Sequence, residues 1–212
     1  IAIKNSESFS STFEYITSER LHHPVTGITT DSRELLDGDL YLALKGENFD
    51  GHSFLKEVSK KGASAALVSE QDSELNFQQI LIEDTINIIG KIAQNWREKF
   101  KIPVIGITGS NGKTSTKELL SHVLSQKYKV HVTKGNYNTN LGLSLTLLEL
   151  NDSHDVSIIE MGASLPGEIE ALCKIAMPTH GLITNIAPAH LEGFGSIKNI
   201  VFEKAALFRS IK

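Results

Sequence analysis

The segment Val104-Ile105-Gly106-Ile107-Thr108-Gly109-Ser110-Asn111-Gly112-Lys113-Thr114 carries the residue types that grip a polyphosphate. Gly109 and Gly112 let the backbone bend so that successive N–H groups face phosphate oxygens, an arrangement the dipole of a following helix also favours. Lys113 supplies a mobile positive charge for the β and γ phosphates, and Thr114 offers a hydroxyl to Mg²⁺. The general phosphate-loop pattern would begin with a glycine where this chain has Ile107, so only the shorter Gly-x-x-Gly-Lys-Thr form stands. A Gly-Lys-Thr tripeptide also occurs at ordinary helix N-termini. Here an apolar strand precedes it and a helical pattern follows it, which favours the phosphate reading.

Two further residues could serve a metal. Val156-Ser157-Ile158-Ile159-Glu160 reads as a buried strand ending in a carboxylate, which is how a parallel sheet places an acid beside a nucleotide and its cation. The plainer alternative is a solvated glutamate at a strand end. His190, in Asn185-Ile186-Ala187-Pro188-Ala189-His190-Leu191-Glu192-Gly193, carries an imidazole that suits Mn²⁺ or a second, looser site better than Mg²⁺. A lone loop histidine more often has no special role.

These residues need a scaffold, and the pattern supplies one. Strands at Val104–Thr108, Val130–Thr133, Val156–Glu160 and Gly181–Asn185 alternate with helices at Lys113–Ser125, Leu141–Leu150 and Gly167–Ile175, which predicts right-handed crossovers and a mainly parallel sheet. In such sheets ligands bind beyond the carboxyl ends of the strands, and the suggestive residues all fall there. Upstream, Val25–Thr30, Leu40–Leu44, Ala65–Val68 and Ile80–Ile82 read as strands, with a helix from about His52 to Lys61. A helix capped by Asp84, with apolar residues at Ile88, Ile89, Ile92, Ala93 and Trp96, marks the boundary between a small α/β domain (1–83) and the phosphate-loop domain (84–212).

Bulk properties narrow the function classes. With 40% hydrophobic and 22% charged residues the chain is an ordinary folded α/β protein. A net charge of −4 and no dense basic block argue against a nucleic-acid surface, whereas a phosphorylated small ligand needs only local amides. Cys173 is the sole cysteine, so no internal disulfide can form, and a reducing cytoplasmic setting is the default. Nothing approaches a membrane span or a secretory signal. The chain opens on Ile1 and stops at Lys212 inside an apparent helix, which reads as a fragment.

Taken together, these motifs resemble the Mur ligases of bacterial cell-wall synthesis, and within that family the MurF type. Thr108 to Thr114 is similar to the family's ATP loop, with Ser115 beside it; Gly135-Asn136-Tyr137-Asn138-Thr139-Asn140 to its segment near substrate and ATP; and Glu160-Met161-Gly162-Ala163 to its metal-binding strand end. Thr184 to Phe194 looks particularly like the MurF form. Asp31-Ser32-Arg33, Lys45-Gly46-Glu47 and Phe49-Asp50-Gly51-His52 look like the family's uridine-nucleotide domain, although from composition alone they are capped turns.

The resemblance implies ATP with Mg²⁺, or Mn²⁺, as cofactors, and a UDP-muramoyl peptide and D-alanyl-D-alanine as partners, in a monomer. It implies metal roles for Thr114, Glu160 and His190, substrate placement by Asn138 and Thr139, and uridine-nucleotide binding by Ser32, Arg33, Lys45, Gly46, Phe49, Asp50, Gly51 and His52. Lys204, in Phe202-Glu203-Lys204-Ala205-Ala206, matches the lysine that family members convert to a carbamate; a surface Glu-Lys pair is the alternative. A carbamate is an anion that can hold Mg²⁺, as an ammonium cannot. The implied reaction phosphorylates a carboxylate so that an amine can displace the phosphate. Family members carry a third domain that this chain lacks, so the chain alone is expected to be inactive. Another Mur-type ligase, a folylpolyglutamate synthase and a non-catalytic nucleotide switch remain as alternatives; the amino-terminal motifs disfavour the folate enzyme, and Glu160, His190 and Lys204 together disfavour the switch.

Overall fold

The computed structural model describes residues 1–211; Lys212, which the sequence places at the end of the last helix, lies outside the described residues. The chain divides into two compact units, Ile1–Ile92 and Ala93 onward, with the division falling inside helix α3 (Thr85–Glu98). Among the described residues no helix is long and apolar enough to cross a membrane.

The first unit begins with α1 (Ser6–Thr17), where Asn5 Oδ1 accepts the Ser8 N–H at 3.0 Å and caps the helix. Phe9 and Phe13, one turn apart, are fully buried on its inner face. Four parallel strands follow in the order β1 (Gly27–Thr29), β2 (Asp39–Leu42), β3 (Ala65–Val68) and β4 (Gln79–Leu81). Their first three members are buried throughout, as expected of strands covered on both faces. Between β2 and β3 a 3₁₀ turn (Gly51–Phe54) leads into α2 (Leu55–Lys60), whose Leu55 and Val58 pack with Leu35, Tyr41, Ala43, Ala66 and Val68. The Tyr41 hydroxyl, pushed up to about 12 chiefly by burial, donates to the Gly51 carbonyl at 3.1 Å and ties the 3₁₀ turn to the sheet.

The second unit holds another parallel sheet, in the order β6-β7-β5-β8: β5 (Val104–Thr108), β6 (Val130–Val132), β7 (Val156–Glu160) and β8 (His180–Ile183). Every residue of β7 is buried, and β5 lies between β7 and β8, so the loop after β5 sits at the middle of the carboxyl edge. Helices α4 (Lys113–Leu124), α5 (Asn140–Leu148), α6 (Glu168–Ala176), α7 (Leu191–Phe194) and α8 (Ile197–Ser210) complete it. Arg97, at the end of α3, is buried and donates to the carbonyls of Ala176, Phe100, Ile102 and Met177, which anchors the carboxyl end of α6. His131 of β6 is buried between Ser157 of β7 and the Thr146 carbonyl of α5, at 2.8 and 2.9 Å.

Candidate functional site

The glycine loop after β5 is built as the residue types require. Gly109 has φ 150°, and a Cβ there would collide with Thr184 Oγ1; Gly112, at φ 77°, turns the chain into α4. The first turn of α4 then presents the N–H groups of Lys113, Thr114 and Ser115 outside the helical ladder, at the positive end of the dipole. Lys113 is half-buried, and its ammonium folds back onto the Gly109 carbonyl at 2.9 Å, from which a phosphate can draw it.

One feature differs from the reading in which every amide between the glycines faces a ligand. The Ser110 N–H donates to the Asn185 carbonyl at 3.1 Å and the Asn111 N–H to Asn185 Oδ1 at 2.9 Å. The Ser110 hydroxyl donates to the Ala187 carbonyl at 2.8 Å and accepts the Ala187 N–H at 3.0 Å. Thr184 Oγ1 donates to the Asn111 carbonyl at 2.6 Å. The loop after β5 is thus stitched to the segment after β8, and in this conformation the amides at the start of α4 are the ones turned outward.

Across the sheet, Glu160 ends β7 with only 2% of its surface exposed. Its backbone N–H donates to Thr133 Oγ1 at 3.0 Å, and its Oε1 accepts from Asn138 Nδ2 at 2.9 Å. Its Oε2 is buried and has no hydrogen-bond partner. A carboxylate oxygen in that state is costly unless a cation or donor meets it, so the chemistry of the position fits a divalent ion. Asn138 is fixed in turn, its carbonyl accepting the Gly162 N–H at 2.9 Å. Among the described residues no three His, Cys, Asp or Glu side chains cluster, so a cation here would rest on Glu160 with ligands of other kinds.

Lys113, Asn138, Thr139, Asn140, Gly162 and His190 line one cavity of about 410 Å³. His190, at φ 51°, is the left-handed residue that starts α7 and is exposed, as are Thr114 and Thr139. Lys204 is 2% exposed, on α8, and its pKa is lowered by burial first and by the neighbouring Lys113 charge second, against the opposing pull of Glu203. Glu203 is itself buried; its carboxylate accepts the N–H groups of Gly167 and Ile169 at 2.7 and 2.6 Å and caps α6. The pair is therefore an interior one, contrary to the surface alternative.

In the first unit, Asp31 and Arg33 form a bidentate ion pair, with Arg33 Nη2 at 2.6 Å from Asp31 Oδ2, and the hydrogen bonds from Arg33 hold the Asp31 carboxyl at about 2. Ser32 is buried, its carbonyl accepting from Lys61 Nζ at 2.8 Å. Phe49 stacks on Phe54 with centroids 5.7 Å apart and is half exposed. Lys45 lies 3.5 Å from Asp50, Gly51 packs against the Leu44 backbone, and Gly46 donates its N–H to the Phe49 carbonyl. His52 has both ring nitrogens engaged: Nδ1 with Asp50 at 2.7 Å, and Nε2 accepting the Ser69 N–H at 3.0 Å, so it clamps the turn to the end of β3. Nothing in the sequence marks Lys61, Lys117 or Thr133, since an isolated Lys or Thr on a helix or strand carries no signal there, and nothing in it shows Glu203 as a cap.

Residues 107–212 match the Mur ligase middle domain, and residues 24–111 match the Mur ligase family, catalytic domain. The UDP-N-acetylmuramoyl-tripeptide--D-alanyl-D-alanine ligase of Synechocystis sp. is 47% identical over 86% of this chain and 41% of its own length, and that of Escherichia coli 39% identical over 87% and 40%. Among solved structures, MurF from Acinetobacter baumannii superposes with a TM-score of 0.89 at 35% identity, covering 96% of this chain and 46% of its own. MurF from Thermotoga maritima in complex with ADP gives 0.80 at 37%, covering 87% and 43%. The chain spans about two-fifths of the length of the curated relatives it matches. The chain belongs to the Mur ligase family.

Proposed function

We propose that this chain is the UDP-muramoyl-peptide-binding and ATP-binding part of an ATP-dependent ligase that joins D-alanyl-D-alanine to a UDP-N-acetylmuramoyl-tripeptide in the cytoplasm. The relatives that carry this name support the reaction, and the related Thermotoga maritima structure in complex with ADP supports the nucleotide. The observation that carries the reading is the unpartnered, buried Oε2 of Glu160, whose other oxygen is held by a residue lining the same cavity as Lys113.

A carboxylate resists acylation because its leaving group would be an oxide, and transfer of the γ-phosphoryl group makes it an acyl phosphate that an amine can attack. Little covalent chemistry falls to the protein, whose task is positioning and charge neutralisation. The outward amides at the start of α4 bind the phosphates, and Lys113 leaves the Gly109 carbonyl to offset charge on the group in transit. Thr114, Glu160 and His190, with Lys204 once carbamylated, would hold divalent ions, which when bound draw charge from the phosphate oxygens. The lowered pKa of Lys204 favours the neutral amine that reacts with carbon dioxide. Asn138 and Thr139 place the acceptor carboxylate, and the first unit, through Ser32, Arg33, Lys45, Gly46, Phe49, Asp50, Gly51 and His52, takes the uridine nucleotide.

Calorimetric titration with ADP, with and without Mg²⁺, tests the nucleotide half of this reading. Product analysis of the complete enzyme with ATP, the muramoyl tripeptide and either D-alanyl-D-alanine or single amino acids tests the rest. Nucleotide binding strengthened by Mg²⁺ and a product with the dipeptide alone are expected. An absence of ADP binding, or a product with a single amino acid in place of the dipeptide, would overturn it.

A further inference from the structure

Lys117 lies one helical turn beyond Lys113 on α4 and is wholly buried. A lysine with no exposed surface is uncommon and unfavourable unless its charge is met. Its ammonium donates to the Thr133 carbonyl at 2.7 Å and meets Glu118 Oε1 at 2.9 Å, on a carboxylate that is itself mostly in solvent. Thr133 is equally buried and every polar atom of it is committed. Its N–H donates to the Ile158 carbonyl at 3.0 Å, its Oγ1 accepts the Glu160 N–H at 3.0 Å, and its carbonyl takes Lys117. Directly after Thr133 the chain runs into the turn that delivers Asn138 to Glu160 Oε1.

We infer that Lys117 is a positioning residue that fixes the separation between the nucleotide helix and the Glu160 carboxylate through Thr133. This inference rests on the reading of Glu160 as a cation ligand. The helix that presents Lys113 and Thr114 and the strand end that presents Glu160 come from different parts of the fold, and one cation can bridge them only if their spacing is held. The Lys117 to Thr133 bond ties α4 to the residue just past β6, and the Thr133 hydroxyl passes the tie on to β7. Lys117 has no exposed surface to offer a ligand; it acts through the strand ends.

The test uses the full chain with Mn²⁺ as the probe, read by electron paramagnetic resonance in the presence of ADP, and ADP affinity measured separately in a chelator. For Lys117→Met the Mn²⁺ dissociation constant is expected to rise about 10- to 100-fold, as for other residues that orient metal ligands, while metal-free ADP affinity changes less than about twofold. Lys117→Arg should recover most of the loss. A folded Lys117→Met variant that binds Mn²⁺ within about twofold of the parent overturns the inference. Where Lys117→Met fails to fold by circular dichroism, Thr133→Val carries the test, since it removes only the hydroxyl that receives the Glu160 N–H. Thr133→Val should show the same loss and Thr133→Ser should not; unchanged Mn²⁺ affinity in Thr133→Val is again fatal. Glu160→Gln separates the two levels. If it abolishes Mn²⁺ binding while Lys117→Met does not weaken it, this inference alone fails; if the parent chain with ADP binds no Mn²⁺, the reading of the site fails with it.

Discussion

His131 offers a prediction whose size can be worked from its surroundings. Its Nε2 can only donate to the Thr146 carbonyl, so in the neutral ring Nδ1 accepts from the Ser157 hydroxyl, which would have to turn its proton away to receive a second one on the ring. Burial, with the His154 ring 5.1 Å away as a smaller cause, lowers its pKa from 6.5 to about 4. The proton therefore prefers the unfolded chain, in which the ring titrates near 6.5. Stability from this group is whole above that pH, declines as the pH falls between 6.5 and about 4, and falls no further below it. The shift corresponds to about 3 kcal/mol in all, of which about 2 kcal/mol is lost between pH 7 and pH 5. In His131→Gln the amide can still donate to Thr146 and carries no titrating ring. Urea unfolding at pH 7 and pH 5, followed by the fluorescence of Trp96, reads the second unit, because the sole tryptophan donates there to the Leu150 carbonyl at 3.1 Å. The parent should lose about 2 kcal/mol more than the variant between the two pH values. Equal losses would refute the reasoning, since carboxylates elsewhere are common to both chains.

Lys113→Ala is expected to lower turnover of the complete enzyme by roughly a hundredfold or more, because on the proposed reading charge on the transferring group loses the ammonium that offsets it; near-normal rates in a steady-state assay would count against that role. Gly109→Ala should destabilise the second unit by about 1–3 kcal/mol in thermal melts, from the left-handed backbone and the collision with Thr184, and an unchanged melting temperature would mean the loop relaxes freely. With ¹³C-labelled bicarbonate, the parent should show a carbamate carbonyl resonance that is missing in Lys204→Arg; its absence from the parent would leave Lys204 a buried, unmodified lysine.

The parts of the fold legible in the sequence are those where burial is two-sided. Val104–Thr108, Val156–Glu160 and Ala65–Val68 are strands with the same limits in sequence and structure, since an unbroken apolar run between polar turns admits little else. The flanking strands shrink, Val25–Thr30 to Gly27–Thr29 and Gly181–Asn185 to His180–Ile183, the latter because Thr184 and Asn185 turn aside to hold the nucleotide loop. Helix α1 was hidden by its serines and threonines. Ser11, Thr12 and Thr17 donate their hydroxyls to the carbonyls one turn back, so residues that ordinarily compete with a helix are satisfied inside it. In the site, the glycines, Lys113 and Glu160 announce themselves by type and spacing. The partners that tune them do not. Asn185 reaches Asn111 from 74 residues away, and Lys117 and Glu203 look like any charged residue on a helix until packing closes over them.

The seam between Ser110–Asn111 and Thr184–Ala187 has a mechanical consequence. His190 sits three residues past Ala187 on that same stretch, so the hydrogen bonds that hold the glycine turn also brace the backbone that carries the imidazole. Lys113 and His190, on two walls of the cavity, thereby share one backbone brace made without any charged group.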